Sequence, residues 1–287
     1  MSESESPQRR AWRVTEPIHA MIYFVPEAPE RYAALGVGPQ DGYFASRAAA
    51  FGECGPGVVA ATFYNFNPDL VARALPAVWE STTSDAMVEA RLSAVDAALT
   101  RGLGAAVLAS PEVAEAAELA RQAAEAATAW PQGRPIFAAH AELPWPEQPH
   151  LVLWHAQTLL REFRGDGHVA TLVAAGIGGI EALILYVASG QADERFLRVS
   201  RGWRRDAWAA AVDRLRDRGL LDAEGTLTDS GRALRVEVEA TTDRLAAPAY
   251  DVLGDEDCVR LAELTRPLSR TLVKAGLLTP RLPGAAS

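Results

Sequence analysis

Apolar residues recur at helical spacing along most of the chain. Between residues 84 and 127 lie two Ala-rich segments, "SDAMVEARLSAVDAALTRGL" and "SPEVAEAAELARQAAEAATA", and each begins with a serine cap and an acidic first turn. Further on, Trp208, Val212 and Leu215 form an apolar stripe along one helix face. The pattern predicts a mainly α-helical protein.

A short hairpin interrupts the helices in the last third of the chain. The segment "LLDAEGTLTD" (220–229) predicts two very short strands around Ala223-Glu224-Gly225. The helical segments "RRDAWAAAVDRLRDRG" and "SGRALRVEVEATTDRLAAPAY" flank it. The expected order is therefore helix, hairpin, long helix.

Glycine and proline set the expected boundaries of the other helices. "HLVLWHAQTLLREF" predicts a helix that ends at the turn "RGDG" (164–167), and "HVATLVAAGIGGIEALILYVASG" predicts a second, long apolar helix. "PGVVAATFYNF" (56–66) fits either a strand, through its Val and Phe residues, or a helix with Pro56 in its first turn.

Composition along the chain suggests two halves. We expect a disordered tail over 1–15, a helical domain over 16–128, a Pro-rich connector over 129–149 and a second helical domain over 150–278. Residues 279–287 form a second tail. The connector is the predicted domain boundary because it contains many prolines in about twenty residues.

Three segments of the second half form a recognisable series: "RLRDRGLLD", the "LTDSGRALR" that opens the helix after the hairpin, and "LGDEDCVRLAELTRPLSRTL". With them, residues from about 180 to 275 resemble the winged helix-turn-helix of MarR-type regulators. The resemblance implies that the last two helices pair with a partner subunit. It also implies a ligand pocket between those helices and the winged helix.

The rest of the chain shares this kind of resemblance. With "PIHAMIYF", "GYFASRAA" and "SRGW", the sequence is similar to uncharacterised actinobacterial proteins described as helix-turn-helix or MarR-like. The first half can then be a diverged second copy of the same unit, which would make one chain a pseudo-dimer. The alternative is an ordinary homodimer.

Charge gives a local argument for DNA. The chain carries a formal net charge of -9, but residues 195–218 hold eight Arg against three Asp, a local balance of +5. Arg201, Arg204 and Arg205 lie near the start of the presumed reading helix, where such proteins contact duplex DNA. The other interpretation is a solvated face on which arginines pair with neighbouring Asp residues.

The hairpin argues against DNA. Its turn carries Asp222 and Glu224 and no arginine, and carboxylates repel phosphate. The presumed reading helix also offers mainly Ala209, Ala210 and Asp213 to base edges, and these residues supply few donors.

A second set of residues points to a small-molecule site. His155, Asp166 and His168 are candidate catalytic residues, with the two imidazoles as an acid/base pair and Asp166 setting one tautomer. Trp154, Arg161 and Arg164 are candidate ligand contacts beside them.

A simpler interpretation leaves those residues structural. In it Asp166 only caps the following helix and both histidines are core residues. Elsewhere, Tyr43, Arg47 and Asn65 combine aromatic and polar groups suited to a planar, partly polar ligand.

The remaining composition narrows the chemistry. Cys54 and Cys258 lie far apart without metal-ligand spacing, so neither a disulfide framework nor a metal site is expected, and no cofactor motif is found. No uninterrupted apolar run reaches the length of a membrane span, and we expect a cytoplasmic protein without a membrane partner.

Two functional hypotheses lead, ahead of a third in which the protein is a scaffold whose long Ala-rich helices dimerise. The first is a ligand-responsive, MarR-like transcriptional regulator that binds a small molecule and duplex DNA. The second is a small-molecule-binding protein or cofactor-independent enzyme on a winged-helix fold that no longer binds DNA.

Overall fold

The computed structural model of the chain describes residues 5–279, and α-helices dominate it. The α-helices are α1 Pro7–Ala20, α2 Glu27–Ala33, α3 Pro39–Ala48, α4 Pro56–Phe63, α5 Pro68–Ala74, α6 Ser84–Leu103, α7 Ala105–Leu108, α8 Pro111–Ala127, α9 Pro135–Ala141, α10 Pro149–Ala174, α11 Gly179–Ala188, α12 Glu194–Ser200, α13 Arg205–Asp217, α14 Asp229–Ala246 and α15 Gly254–Lys274. Short 3-10 helices cover Met21–Tyr23, Ala49–Phe51, Ala77–Glu80 and Ala247–Ala249. With 73% of the residues helical, the mainly α prediction is confirmed.

The N-terminal segment is a helix, so the prediction of a disordered tail is wrong over 7–15. Ser6 accepts a hydrogen bond from the backbone N–H of Arg9 (3.2 Å), and Pro7 occupies the first helical position. The helix then buries Ala11 and Ile18 against the rest of the protein. This burial stabilises α1, and the polar residues at the start of the sequence do not indicate it.

Four long helices, α1, α8, α10 and α15, form the centre of the larger core. The most extensive contacts join α1 to α15 and α10 to α8. This core takes in buried residues from Ala11 to Phe163 and again from Ala249 to Leu277, so both ends of the chain meet in it. We call this part the body: residues 7–166 and 247–277.

The body contradicts the predicted boundary at 129–149. Helix α9 lies within that segment, and Ile136 and Phe137 are buried in the core. The ring centroid of Phe137 lies 5.0 Å from that of Phe163 on α10. Pro135 therefore starts a short helix that packs into the core, and this segment does not separate two domains.

A second, smaller core lies between residues 172 and 238. It packs α11–α14 together with the end of α10, and we call residues 172–246 the small unit. Leu221 and Leu227 form an isolated antiparallel bridge between α13 and α14, at the position of the predicted hairpin. The turn it closes, residues 221–227, is called the wing below.

Helix α10 runs without a break through the predicted "RGDG" turn, so the turn is wrong. Gly167 lies inside the helix, and the position favours glycine because an added Cβ would lie 3.0 Å from the Arg134 guanidinium and 3.3 Å from Leu245. Gly167 thus serves close packing and does not end the helix.

The long apolar stretch after it is two helices, not the one predicted. Gly176 takes a positive φ of 65°, and α10 and α11 meet at a bend of 97°. Within the described residues no single helix is long and apolar enough to cross a membrane; only this bent pair passes by length and composition.

Candidate functional site

A cavity of about 630 Å³ lies between the body and the small unit. Its size is typical of small-molecule sites. Its ionisable wall residues are Arg9, Glu16, Tyr43, Arg47, Tyr64, Arg161, Glu162, Arg164, Asp166, His168, Tyr186, Arg201, Arg235 and Glu239. Its apolar wall includes Phe63, Phe66, Leu172, Ile177, Leu183, Leu185, Leu234 and Val238.

Most of the residues predicted as ligand contacts or catalytic candidates meet in this cavity. They come from α3, the loop after α4, and α10: Tyr43, Arg47, Asn65, Arg161, Arg164, Asp166 and His168. Trp154 and His155 do not line it. The cavity thus joins two sequence segments that are about a hundred residues apart.

Arg47 is held on the body side of the cavity. It donates to the Tyr43 hydroxyl (3.2 Å) and to Glu162 Oε1 (3.4 Å), and its guanidinium lies 4.1 Å from the ring centroid of Phe63. Burial by itself would raise the pKa of Glu162, but the charges of Arg47 and Arg161 outweigh it and lower this pKa to about 2. Glu162 is therefore ionised and shared between two arginines.

Arg201 faces the same end of the cavity from the small unit. It follows α12, and its guanidinium lies 4.6 Å from the ring centroid of Phe66. Its side chain donates to the Ser200 hydroxyl (3.1 Å), and no described carboxylate lies within ion-pair distance of it. Burial, reinforced by the positive charges of Arg47 and Arg161, lowers the pKa of Arg201.

This position contradicts the prediction that Arg201 binds DNA. Its guanidinium forms part of the cavity wall, whereas Arg204 and Arg205 are exposed at the start of α13. The positive φ of Gly202 (73°) turns the chain between them. Three neighbouring arginines therefore divide between the interior and the surface.

The loop after α4 connects the body to the small unit. Tyr64 has a left-handed φ of 49°, and its hydroxyl donates to the carbonyl of Ile177 (2.5 Å). A Cβ at Gly179 would overlap the Tyr64 carbonyl, so the start of α11 can lie against this loop only with glycine there. The segment 56–66, for which the sequence allowed either a strand or a helix, contains the helix α4, and Tyr64 ends this helix in a strained conformation.

The same loop holds the turn between α12 and α13. The Trp203 indole donates to the Asn65 carbonyl (2.9 Å), and the Asn67 side chain donates to the Gly202 carbonyl (2.9 Å). The backbone N–H of Asn67 donates to the Arg201 carbonyl (2.9 Å). A shift of this turn would therefore move one wall of the cavity.

The opposite side of the cavity is closed by ion pairs. Arg164 donates to Glu239 (3.1 Å) and lies 2.8 Å from Asp243, and Arg9 pairs with the same two carboxylates. The Arg164 guanidinium also lies 4.3 Å from the ring centroid of Trp12. Arg164, predicted as a ligand contact, thus already has two acidic partners and fixes α14 to α10 and α1.

Asp166 caps a helix, but not the one expected. Its Oδ2 accepts from the backbone N–H of Phe137 (3.0 Å) in the first turn of α9. Burial and the negative charge of Glu162 raise the pKa of Asp166 to about 7, against the effect of this hydrogen bond and of Arg134.

The predicted acid/base pair is wrong. His155 and His168 lie 13 residues apart on one continuous helix, a separation of about 20 Å along its axis. His155 packs edge-on against Trp145 (4.8 Å), and burial lowers its pKa to about 3. His168 meets the Thr242 hydroxyl (3.0 Å), and burial lowers its pKa too.

Trp154 is a core residue, contrary to its prediction as a ligand contact. It stacks on His19 with ring centroids 5.3 Å apart and donates to the His19 carbonyl (3.4 Å). His19 in turn meets the hydroxyls of Thr158 (3.0 Å) and Tyr23 (2.9 Å). This network joins α1 to α10 and leaves Trp154 no route to the cavity.

The surface of α13 is less positive than its arginine count suggests. Arg204 pairs with Asp206, Arg216 with Asp213, and Arg214 with Glu181. Such exposed pairs contribute little stability and can exchange for phosphate. Arg205 is exposed and has none of the ion pairs found among residues 5–279.

The wing is a tight turn closed on itself. Asp222 accepts from the N–H (2.8 Å) and hydroxyl (2.6 Å) of Thr226, and Arg216 donates to the carbonyls of Asp222 and Ala223. Asp222 is thus used to shape the turn. Glu224 is left exposed at its tip.

The cavity also contains residues that the sequence did not suggest. Trp12 and Glu16 lie on α1, which was taken as partly disordered. With Arg9, their spacing of three and four residues is that of one helix face, and this was the signal available. No described group of three or more His, Cys, Asp or Glu residues could hold a metal ion.

Comparison with known proteins identifies a family but no characterised relative. A family profile described as a helix-turn-helix family matches residues 8–279. No curated protein and no solved structure matches the chain. The match covers the body and the small unit together, so both lie within the region that the family profile describes.

Proposed function

We propose that the chain, which belongs to a helix-turn-helix family, is a ligand-responsive transcriptional regulator of MarR type. Families of this kind consist in general of DNA-binding regulators. The small unit supplies the winged helix-turn-helix, with α12 and α13 as the helix pair and α13 as the reading helix. Arg204 and Arg205, exposed at the start of α13, are the proposed DNA contacts.

The observation that carries this proposal is the position of the cavity. One wall is the body and the other is α11, α14 and Arg201 of the small unit. A bound molecule would therefore contact the reading unit and its support at once. It would bias the orientation of α13 because it binds one arrangement of the two parts better than another.

The body also supports a pseudo-dimeric origin, with one copy over α1–α8 and the other over α10–α15. The first helix of each copy packs on the last helix of the other, α1 on α15 and α10 on α8. The two first helices, and the two last helices, also touch each other. Reciprocal contacts of this kind are expected around a two-fold axis.

A pseudo-dimer of this type has one reading unit. The β-bridge that closes a wing is described only at Leu221 and Leu227, in the second copy. We therefore propose that a monomer binds a single, asymmetric DNA site. Light scattering should give a monomer, and one chain should bind per duplex.

The test is a binding assay with duplexes selected from a random-sequence library, followed by fluorescence anisotropy at several salt concentrations. Arg205→Ala and Arg204→Ala should each weaken binding about tenfold or reduce the salt dependence by about one counterion. Arg270→Ala removes an exposed arginine from α15 in the body and is the matched control. If no duplex binds even at low salt, the regulator proposal fails.

A second function is favoured by the ion pairs on α13 and by the acidic wing. It is a small-molecule-binding protein, or a cofactor-independent enzyme, that no longer binds DNA. Under this alternative the cavity binds its ligand although the library yields no duplex. Selection of a specific duplex, with loss of binding in Arg205→Ala, would reject it.

A further inference from the structure

Two arginines at one end of the cavity lie side by side without enough acceptors. The guanidinium of Arg47 stacks on Phe63 and that of Arg201 on Phe66, and the two ring centroids are 6.3 Å apart. In both arginines the buried Nε has no hydrogen-bond partner. Leaving such donors unpaired in a buried site is unfavourable.

The charges at this end do not balance. Arg47, Arg161 and Arg201 face the two carboxylates Glu16 and Glu162, an excess of one positive charge. Arg161 uses both carboxylates, at 2.8 Å from Glu16 and 3.1 Å from Glu162. Arg201 is the cation left over, and a buried guanidinium attracts an oxyanion whose two oxygens match its fork of donors.

Between α11 and α14 the cavity also has an apolar wall, beside the ion pair of Arg164 and Glu239. Leu183 and Leu185 of α11 and Leu234 and Val238 of α14 form this wall, together with Leu172 at the end of α10. A molecule that fills the cavity would therefore have one charged end and one hydrophobic end.

From these observations we propose that the cavity binds an amphipathic organic anion. Its oxyanion lies between Arg47 and Arg201, and its apolar part lies between α11 and α14. The inference rests on the proposed function, because it names the ligand class for the same cavity. Since Arg201 begins the turn before α13, the anion would tie the reading helix to α3 of the body.

The test uses three probes of one shape: 1-naphthoate, 1-naphthyl phosphate and the uncharged 1-naphthamide. Calorimetry on the full chain, without DNA, should show at least one anion binding at least tenfold more tightly than the amide. Arg201→Met and Arg201→Gln should reduce anion affinity at least tenfold, whereas Arg201→Lys should reduce it less. The response to two anions distinguishes a carboxylate site from a phosphate site.

The matched control is Arg198→Met. Arg198 lies on α12, one turn before Arg201, and its buried Nε also has no hydrogen-bond partner, but it pairs with Glu194 (3.8 Å) and does not line the cavity. This variant should bind the anion within about twofold of the native chain, and circular dichroism checks that each variant folds. If Arg201→Met does not fold, the contrast between Arg201→Gln and Arg201→Lys decides.

The proposal is overturned if the amide binds as well as both anions, if none of the three binds at 5 mM (roughly the weakest affinity of a specific site), or if uncharged substitutions at Arg201 leave anion binding unchanged. Because these measurements contain no DNA, their failure leaves the regulator proposal standing. Failure to select a duplex likewise leaves the anion site standing.

Discussion

Arg134 and Arg201 both lie where the body meets the small unit, Arg134 buried and Arg201 half-buried, and their guanidinium groups have different surroundings. Arg134 donates to the carbonyls of Phe163 and Leu245 and lies 3.5 Å from the ring centroid of Phe163. Arg201 reaches only the hydroxyl of its neighbour Ser200. The first arginine joins α10 to the end of α14, and the second leaves donors facing the cavity.

The contrast extends to the two sides of the cavity. On the side of Arg134 and Arg164, carbonyls and carboxylates satisfy the cations and fix α14 in place. On the side of Arg47 and Arg201, cations outnumber carboxylates. A buried charge with partners supports the fold, whereas one without partners lowers stability until a ligand supplies the anion. The comparison thus separates arginines whose charge is paired from Arg201, whose charge is not.

The largest expected effect concerns the contact between the two parts. Gly179→Ala should destabilise the protein by about 3 kcal/mol, because the added Cβ would overlap the Tyr64 carbonyl. Gly178→Ala is the control, since its Cβ would lie 3.6 Å from the nearest atom. Urea unfolding measures both, and an equal effect of the two would show that the contact is not tight.

The sharpest test of the comparison pairs two substitutions. Arg134→Met should destabilise the protein by about 2–3 kcal/mol, because two carbonyls lose a charged donor. Arg201→Met in the ligand-free protein should be neutral or stabilising by about 1 kcal/mol, because an uncompensated buried charge is removed. Thermal unfolding without ligand compares them. A loss of about 3 kcal/mol in both would make Arg201 structural as well.

Asp166 should make the free energy of unfolding sensitive to pH. Its pKa is raised to about 7 in the fold and is about 4 in the unfolded chain, so its contribution is fully present below about pH 4 and is lost as the pH rises through 7. The groups facing it are Glu162, Arg134 and the N–H of Phe137. Asp166→Asn should gain about 2 kcal/mol relative to the native chain between pH 4 and pH 6. Urea unfolding across that range measures it, and a constant difference would contradict the assignment.

The smallest expected effect concerns the exposed ion pairs of Glu239 with Arg9 and Arg164. Glu239→Gln weakens the pairs with Arg9 and Arg164, but Glu239 is 44% exposed, so the loss should be about 0.5 kcal/mol. Naphthoate affinity should stay within about twofold, because Arg47 and Arg201 are untouched. A large loss of affinity would mean that ligand binding depends on the ion pairs of Arg164 and Arg9 with α14.

Local patterns were sufficient for much of the secondary structure. Acidic first turns predicted α6 and α8, although Thr83 and not the predicted Ser84 caps α6. The order of segments after 204 predicted α13, the turn and α14. They failed at Gly165 and Gly167, where the sequence pattern of a turn lies inside α10. At Gly167, packing against Arg134 and Leu245 overrides the local preference, and no local pattern reports this contact.

The cavity was predicted only in part. Tyr43, Arg47, Asn65, Arg161 and Arg164 were suggested by their residue types, since aromatic and cationic groups suit a small polar ligand. Trp154 and His155 have the same chemistry but face the core, because a helix distributes neighbouring residues over different faces and the packing partner of each face is distant in sequence.

By itself the sequence determined that the chain is mainly helical, that a short turn between two helices lies near its end, and that arginine is its main cation. Each of these follows from residue type and short-range spacing. Tertiary structure alone decided that α1 and α15 close one body and that Arg201 faces inward while Arg204 and Arg205 face outward. The physical reason is that burial and charge pairing depend on which distant segments approach, and these contacts fix the surroundings of every arginine.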